Sequence, residues 1–235
     1  MAGVARYPAL NAFGQFIDAA DSVYGSGADG SVTLDGSSTV LGMIPASNVY
    51  SMVADLYLFN LTINDNIHLK PNGYRLFVKN ILTLGTSSRI GYITGYSDSG
   101  SILQGQIASL AVAHSLGGSA TGYTATAPLD SLGGSKYFQQ PRNAVLGYSL
   151  TASGGPTYLR GGAGGAGQKG GGVVIVAARY ISGPLSGTAQ ISAKATAPAG
   201  GGVVLIVSSA AGLPANVTTD VTGQNPGTVN YMQLV

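Results

Sequence analysis

The spacing of apolar residues divides the chain into a short helical segment and a much longer strand-forming part. Between Pro8 and Gly25, apolar side chains recur at helical spacing. This pattern predicts an amphipathic helix over residues 9–24, which packs either on the chain's own domain or on a partner protein. We expect the second arrangement. The predicted protein–protein contact residues are Leu10, Phe13, Phe16, Ile17, Val23 and Tyr24.

From residue 29 onward the apolar period changes to two, which indicates β-strands. Between residues 56 and 90, short alternating apolar pairs are separated by turn residues such as Asn, Asp, Pro and Gly. The segment Asn60-Leu61-Thr62-Ile63 returns loosely as Ile81-Leu82-Thr83-Leu84, an offset of 21 residues. Offsets of this size are typical of stacked solenoid coils, so we expect the two segments to lie in successive coils.

A stronger repeat lies near the C-terminus. The run Gly171-Gly172-Val173-Val174-Ile175-Val176-Ala177 returns thirty positions later as Gly201-Gly202-Val203-Val204-Leu205-Ile206-Val207. Equal spacing predicts neighbouring strands in one stack, and continuous apolarity predicts that both strand faces are buried. One face lines the core of the domain. The other face requires a second layer of the chain or a neighbouring subunit, which a three-fold axis would supply.

These patterns predict a mainly β protein, a parallel β-helix-like or stacked β-sheet domain with a short N-terminal helix, assembled as a trimer. The predicted divisions are an N-terminal helical arm at residues 1–27, a β-rich body at residues 28–209 and an extended C-terminal tail at residues 210–235.

The amino-acid composition restricts the classes of partner that the protein is expected to bind. Charged residues make up 9% of the 235 residues, and all nine acids are Asp, which disfavours long exposed helices. The eleven Lys and Arg are scattered, so we expect no nucleic-acid partner. A surface with so few charges indicates a permanently assembled homo-oligomer. Residues 1–6 do not resemble a secretion signal, and the longest apolar run, residues 173–178, is too short for a membrane helix. We therefore expect no membrane partner and synthesis in a cytoplasm.

The motifs that could carry chemistry are weak. Gly162-Ala163-Gly164-Gly165-Ala166-Gly167 fits a dinucleotide-binding pattern, but no helix is predicted after it, so we expect no cofactor. Cysteine is absent, and the two histidines, His68 and His114, offer no cluster for a metal. Strand alternation turns His68 away from the core that Ile67 and Leu69 enter.

The nine aspartates are the remaining catalytic candidates, because glycoside hydrolases use paired carboxylates. They are Asp18, Asp21, Asp29, Asp35, Asp55, Asp65, Asp98, Asp130 and Asp220. Asp18 and Asp21 could share a helix face, and Asp55 and Asp65 could meet across coils. Aspartate is also the residue that turns favour, and we interpret these residues as turn-capping or solvated. We expect no catalytic residue.

The run Asp55-Leu56-Tyr57-Leu58-Phe59-Asn60-Leu61-Thr62-Ile63, continuing through residues 72–78, resembles β-helical segments of tailed-phage structural proteins. The preceding residues 29–34 and the later glycine-rich turns are similar to the same group, so the resemblance covers residues 28–209. It implies a virion location, stacked strands and trimer formation. No catalytic residue carries over, because the resemblance is to a scaffold.

Three functions fit these expectations. A capsid decoration or cement protein, which binds and stabilises the major capsid shell, explains the small size, the low charge and a docking arm. A tail fibre or receptor-binding module would use the same scaffold, usually within a longer chain. A polysaccharide-degrading tail spike is disfavoured by the scattered aspartates.

Overall fold

The computed structural model describes residues 23–72, 74–91, 173–195, 201–223 and 226–234, and the backbone of two strands within residues 148–158. The described strands are β1 (Ser31–Leu34), β2 (Val49–Ser51), β3 (Leu56–Leu58), β4 (Asn60–Ile63), β5 (His68–Lys70), β6 (Leu76–Leu84), β7 (Arg89–Gly91), β8 (Tyr148–Leu150), β9 (Pro156–Tyr158), β10 (Val173–Ser182), β11 (Ala189–Ser192), β12 (Val203–Ser208), β13 (Val217–Asp220) and β14 (Thr228–Gln233). In these parts of the chain, no helix is long and apolar enough to cross a membrane.

Twelve of the described strands build two sheets in which every pairing is parallel. Sheet 1 has the order β1-β4-β6-β10-β12-β14, and β3 also pairs with β6. Sheet 2 has the order β2-β5-β7-β11-β13. The chain alternates between the sheets, so each strand of sheet 1 and the following strand of sheet 2 form one layer. Strands β8 and β9 form a separate antiparallel pair. The prediction of a mainly β protein is confirmed, and its strands lie parallel in two sheets.

The thirty-residue repeat is confirmed in register. Strands β10 and β12 are parallel neighbours, with Val173 opposite Val203 and Ala177 opposite Val207. Along both strands, alternate side chains enter the core between the sheets and an apolar cluster on the outer face of sheet 1. Ile175 on the outer face is only 2% exposed in the single chain. The outer face therefore needs no neighbouring subunit to cover it, and the argument for a trimer from this feature no longer holds.

The 21-residue repeat is confirmed as well. Leu61 lies opposite Leu82 and Ile63 opposite Leu84, in the parallel pair β4–β6. Strand β6 contains one residue more than its partners near Lys79 and Asn80, and the register of β10 shifts at the same level. Such a bulge bends a strand, so sheet 1 changes direction there.

The largest departure from the sequence pattern is a long excursion between adjacent layers. Strand β6 pairs directly with β10, and β7 with β11, although residues 92–172 separate them along the chain. At this junction Gly91 lies against the backbone of Ser192. No periodicity in the sequence predicts that two strands about a hundred positions apart pair with each other.

The predicted C-terminal division differs from the structure, whereas the predicted N-terminal helix stays a prediction. The helix predicted at residues 9–24 falls almost wholly on residues 1–22, which lie outside the described residues. Residues 210–235 were predicted as an extended tail, but β13 pairs with β11 and β14 pairs with β12. The layered body therefore continues to Leu234, because the alternating residues of β14 extend both faces of sheet 1.

Candidate interaction surface

The predicted contact residues are divided by the structure. Leu10, Phe13, Phe16 and Ile17 lie outside the described residues, so their role stays a prediction. Val23 and Tyr24 are buried within the chain itself, in the outer cluster that also contains Phe77, Ile175 and Leu205. In the single chain these two side chains are therefore not accessible for a contact with another protein.

Tyr24 also forms a polar contact with the body. Its hydroxyl lies 3.1 Å from Oγ of Ser209, at the end of β12. Burial raises the pKa of Tyr24 to about 12, although the hydrogen bond with Ser209 lowers it. The segment at Val23 and Tyr24 thus belongs to the body, and a docking arm can only begin before it.

Three aspartates connect successive layers. Oδ2 of Asp29 accepts the N–H of Tyr57 at 2.6 Å. Oδ1 of Asp55 accepts the N–H of Arg75 at 2.8 Å, and Oδ1 of Asp65 accepts the N–H of Thr86 at 2.7 Å. In each pair the donor lies about one layer further along the chain. These carboxylates satisfy backbone groups at the turns, as the turn-capping interpretation expects.

Asp55 and Asp65 do not meet. They stand at opposite ends of the β3–β4 segment, whose eight residues at a rise of about 3.3 Å each span roughly 25 Å when extended. Retaining glycosidases hold their carboxyl groups about 5 Å apart, and inverting enzymes hold them at less than about 10 Å. The pairing considered for these two residues is therefore wrong.

The two other described aspartates cap turns. Oδ1 of Asp35 accepts the N–H groups of Ser37 and Ser38, and hydrogen bonds, above all from Ser38, hold the pKa of Asp35 well below its usual range. Burial acts to raise the pKa of Asp220, but hydrogen bonds from Thr222, together with the charges of Lys194 and Arg89, lower it, and the net shift is downward. Asp18, Asp21, Asp98 and Asp130 lie outside the described residues.

His68 lies on β5, where its neighbour Leu69 enters the core and His68 itself is half-buried on the other face. Burial lowers the pKa of His68, and the charge of Arg89 lowers it further. Among the described residues, no cluster of His, Cys, Asp or Glu could hold a metal ion. His114 and the glycine motif at residues 162–167 lie outside the described part of the chain.

A regular exposed feature of the described residues is the outer face of sheet 1 beyond the bulge, which we call the hydroxyl face. One row of the face is formed by side chains in register across four strands, namely Thr33, Thr62, Thr83 and Ser182. A second row, two positions earlier in each strand, is formed by Ser31, Asn60, Ile81 and Tyr180. All eight side chains are exposed or half-buried.

Side-chain hydrogen bonds order the second row. Nδ2 of Asn60 donates to Oγ of Ser31 at 3.0 Å, and Nδ2 of Asn80 donates to Oδ1 of Asn60 at 2.9 Å. The N–H of Ile81 donates to the same Asn60 oxygen. The Asn60 amide bridges three strands and fixes their side-chain positions, so the face is rigid.

Large apolar side chains accompany the hydroxyls. Ile81 and Tyr180 lie side by side in the second row, and Phe59 stands at the bulge; all three are exposed. The guanidinium of Arg179 lies 5.7 Å from the ring centre of Tyr180. Exposed apolar residues gathered on one rigid face are typical of a contact surface.

The sequence contained part of this face. The 21-residue repeat paired Thr62 with Thr83, and alternation placed both opposite to the buried Leu61 and Leu82. Their alignment with Thr33 and Ser182 could not be found from the sequence, because it depends on offsets of 29 and 99 residues.

Comparisons with models of protein families, with curated proteins and with solved structures find no match to this chain.

Proposed function

We propose that the protein is a non-enzymatic structural component of a tailed-bacteriophage particle, in which the two sheets of parallel strands form a β-helix-like body. The hydroxyl face is the observation that carries the binding role. Its eight side chains are uncharged, are aligned in two rows, and are held by the backbone bonding of four strands. Rigid faces of this kind bind without the cost of ordering a loop.

The contacts of the described carboxylates support a scaffolding role. Asp29, Asp55 and Asp65 all accept backbone N–H groups across layers, which is a structural use of carboxylates. The resemblance to phage segments supplies the virion setting. Within that setting we favour a capsid decoration or cement protein that binds the major capsid protein, in several copies of a homo-oligomer.

The size of the face sets a requirement on the partner contact. Four strands about 4.8 Å apart and four residues at about 3.3 Å each give an area of roughly 250 Å². A standard protein interface buries about 800 Å² on each partner. The contact must therefore extend beyond the hydroxyl face, and residues 1–22 with their predicted apolar stripe are the proposed second element.

The proposal is tested by adding purified protein to particles that lack it. A Thr62→Lys/Thr83→Lys variant places two charges in the hydroxyl row and should reduce binding at least about 100-fold, since like or unpaired charges at an interface cost several kcal/mol. The matched control is Leu185→Lys, because Leu185 is fully exposed in the turn after β10. Circular dichroism and thermal unfolding confirm that both variants fold.

Truncation separates the face from the arm. Removing residues 1–22 keeps the buried Val23 and Tyr24, so the body should still fold. Weakened binding of this truncated chain, together with weakened binding of the lysine variant, supports a two-part contact. Normal binding of the lysine variant would overturn the role of the hydroxyl face. The number of copies per particle then distinguishes a shell protein from a tail protein.

A receptor-binding module of a tail fibre is the second candidate. The observation that favours it is the combination of the hydroxyl row with the exposed rings of Tyr180 and Phe59. Hydroxyls can exchange hydrogen bonds with a sugar, and aromatic rings can cover its apolar face. Retention on cell-surface glycans that Tyr180→Ala abolishes, with few copies per particle, would favour this function over the capsid role.

A further inference from the structure

The two ends of the layered body close the core differently. In the first layer, the connection from β1 to β2 is long, and it carries Met43 back to the core, where this side chain is buried. Short backbone bridges join Val40 to Met43 and Ala46 to Val49 in this connection. The first end is therefore capped by the chain itself.

The last end has no such cap among the described residues. Strands β13 and β14 are the final members of their sheets. Val229 occupies a core-facing position opposite Val204, yet it is 38% exposed. Leu213, Val221 and Tyr231 pack against the same core and are only half-buried. The apolar core thus reaches the surface at this end.

The outer edge of β14 is formed by backbone groups of every second residue. The N–H of Thr228 donates to Gly202 and the N–H of Leu234 donates to Ser208, so the even-numbered residues face β12. In a β-strand, the N–H and C=O of one residue point to the same side. Val229, Tyr231 and Gln233 therefore direct both groups away from β12.

Among the residues that the structure describes, this edge lacks the charges and prolines that keep sheet edges from pairing. No charged residue occurs from Val221 to the end of the sequence, and β14 itself contains neither proline nor lysine. Like charges placed opposite each other destabilise a strand pair. An uncharged strand has no such penalty when it meets a second copy of itself, which favours self-pairing.

We propose that the β14 end of the body binds the same end of a second copy, through an antiparallel β14–β14 pair centred on Tyr231. In this register Val229 lies opposite Gln233 of the second copy. Each of these residues can exchange two hydrogen bonds with the one opposite. The proposal goes beyond the virion role and does not depend on it.

The symmetry of the pair fits the layered body. A two-fold axis through Tyr231, perpendicular to sheet 1, keeps the inner faces of the two sheets on the same side. The exposed core residues at the two ends then cover each other. Only sheet 1 continues across the contact, because sheet 2 ends with β13, in the layer of β12.

The test compares two double variants of the full chain. Val229→Lys/Gln233→Lys places like charges opposite each other, whereas Val229→Glu/Gln233→Lys places opposite charges there. Both retain a donor at position 233, where the Gln233 amide donates to the Ser209 carbonyl at 3.1 Å. Light scattering during gel filtration should show wild type and the Glu/Lys variant at about twice 23.5 kDa, with the Lys/Lys variant at the mass of one chain. Like charges should weaken dimerisation at least about 100-fold.

Other outcomes overturn the proposal. The first is a wild-type mass of one chain at about 100 µM. The second is a wild-type mass of three chains that the Lys/Lys variant retains. The third is loss of the dimer in both variants. If a variant does not fold, hydrogen exchange of the wild type decides the question. Amides of Val229, Tyr231 and Gln233 should become protected as concentration rises, and protection independent of concentration would refute the pairing.

Discussion

Replacing Asp55 with Asn tests the conclusion that the carboxylates hold layers together. Asp55 and Arg75 form an ion pair in which only 9% and 11% of the side-chain surfaces are exposed. Nε of Arg75 donates to Oδ2 of Asp55 at 2.8 Å, and the N–H of Arg75 donates to Oδ1. Asn keeps the oxygen that accepts the N–H but removes the charge beside the guanidinium.

The size of the effect follows from burial. Removing one member of a buried ion pair costs about 3–5 kcal/mol, and the retained acceptor places Asp55→Asn near the lower value. For a domain of this size, about 3 kcal/mol lowers Tm by roughly 6–12 °C. Asp65→Asn is the matched control, since Asp65 accepts an N–H in the same way but is exposed. Its cost should stay below about 1 kcal/mol.

Thermal and urea unfolding, followed by circular dichroism, measure these differences. A double variant with Arg75→Met removes the uncompensated cation, so it should be less destabilised than the sum of the single variants by about 1–3 kcal/mol. A Tm of Asp55→Asn within about 2 °C of wild type, or additive single effects, would refute the reasoning.

Three other changes test separate parts of the structure. Gly91→Ala should destabilise by more than about 2 kcal/mol in urea unfolding, because φ is +111° and a Cβ would lie 1.8 Å from the Ser192 carbonyl oxygen. Ile175→Asp should prevent folding, because it buries an unpaired carboxylate in the outer cluster; a soluble, folded variant would contradict the assignment. Wild-type stability should be retained below pH 10 and fall as pH rises towards 12, because the folded state favours neutral Tyr24. Tyr24→Phe should show a shallower fall, by at most about 2 kcal/mol, and an unchanged slope would exclude Tyr24 as a cause.

The layers could be predicted where the repeats are short. Val173 and Val203, or Leu61 and Leu82, pair in the structure at the offsets that the sequence displays. The turn role of Asp65 also followed from residue type alone. These features are local, because a strand of fixed rise and a short connection leave few alternatives for the next pairing.

The candidate surface was only partly accessible from the sequence. Thr62 and Thr83 face outward by alternation, but the hydroxyl face also needs Thr33 and Ser182, which belong to distant layers. The predicted contact residues Val23 and Tyr24 turned out to be buried in the body. An amphipathic stripe indicates that an apolar surface must be covered, but it does not distinguish cover by the same chain from cover by another protein.

The sequence by itself determined the β class, the two repeats and the turn aspartates, because all of these depend on period and residue type over a few neighbours. Only the tertiary structure decided that β6 pairs with β10 across residues 92–172, and that β13 and β14 belong to the body. Pairing between parallel strands depends on which edge is available when the chain returns. The closure entropy of an intervening loop grows only slowly with its length, so a long excursion leaves little mark on the pattern around it.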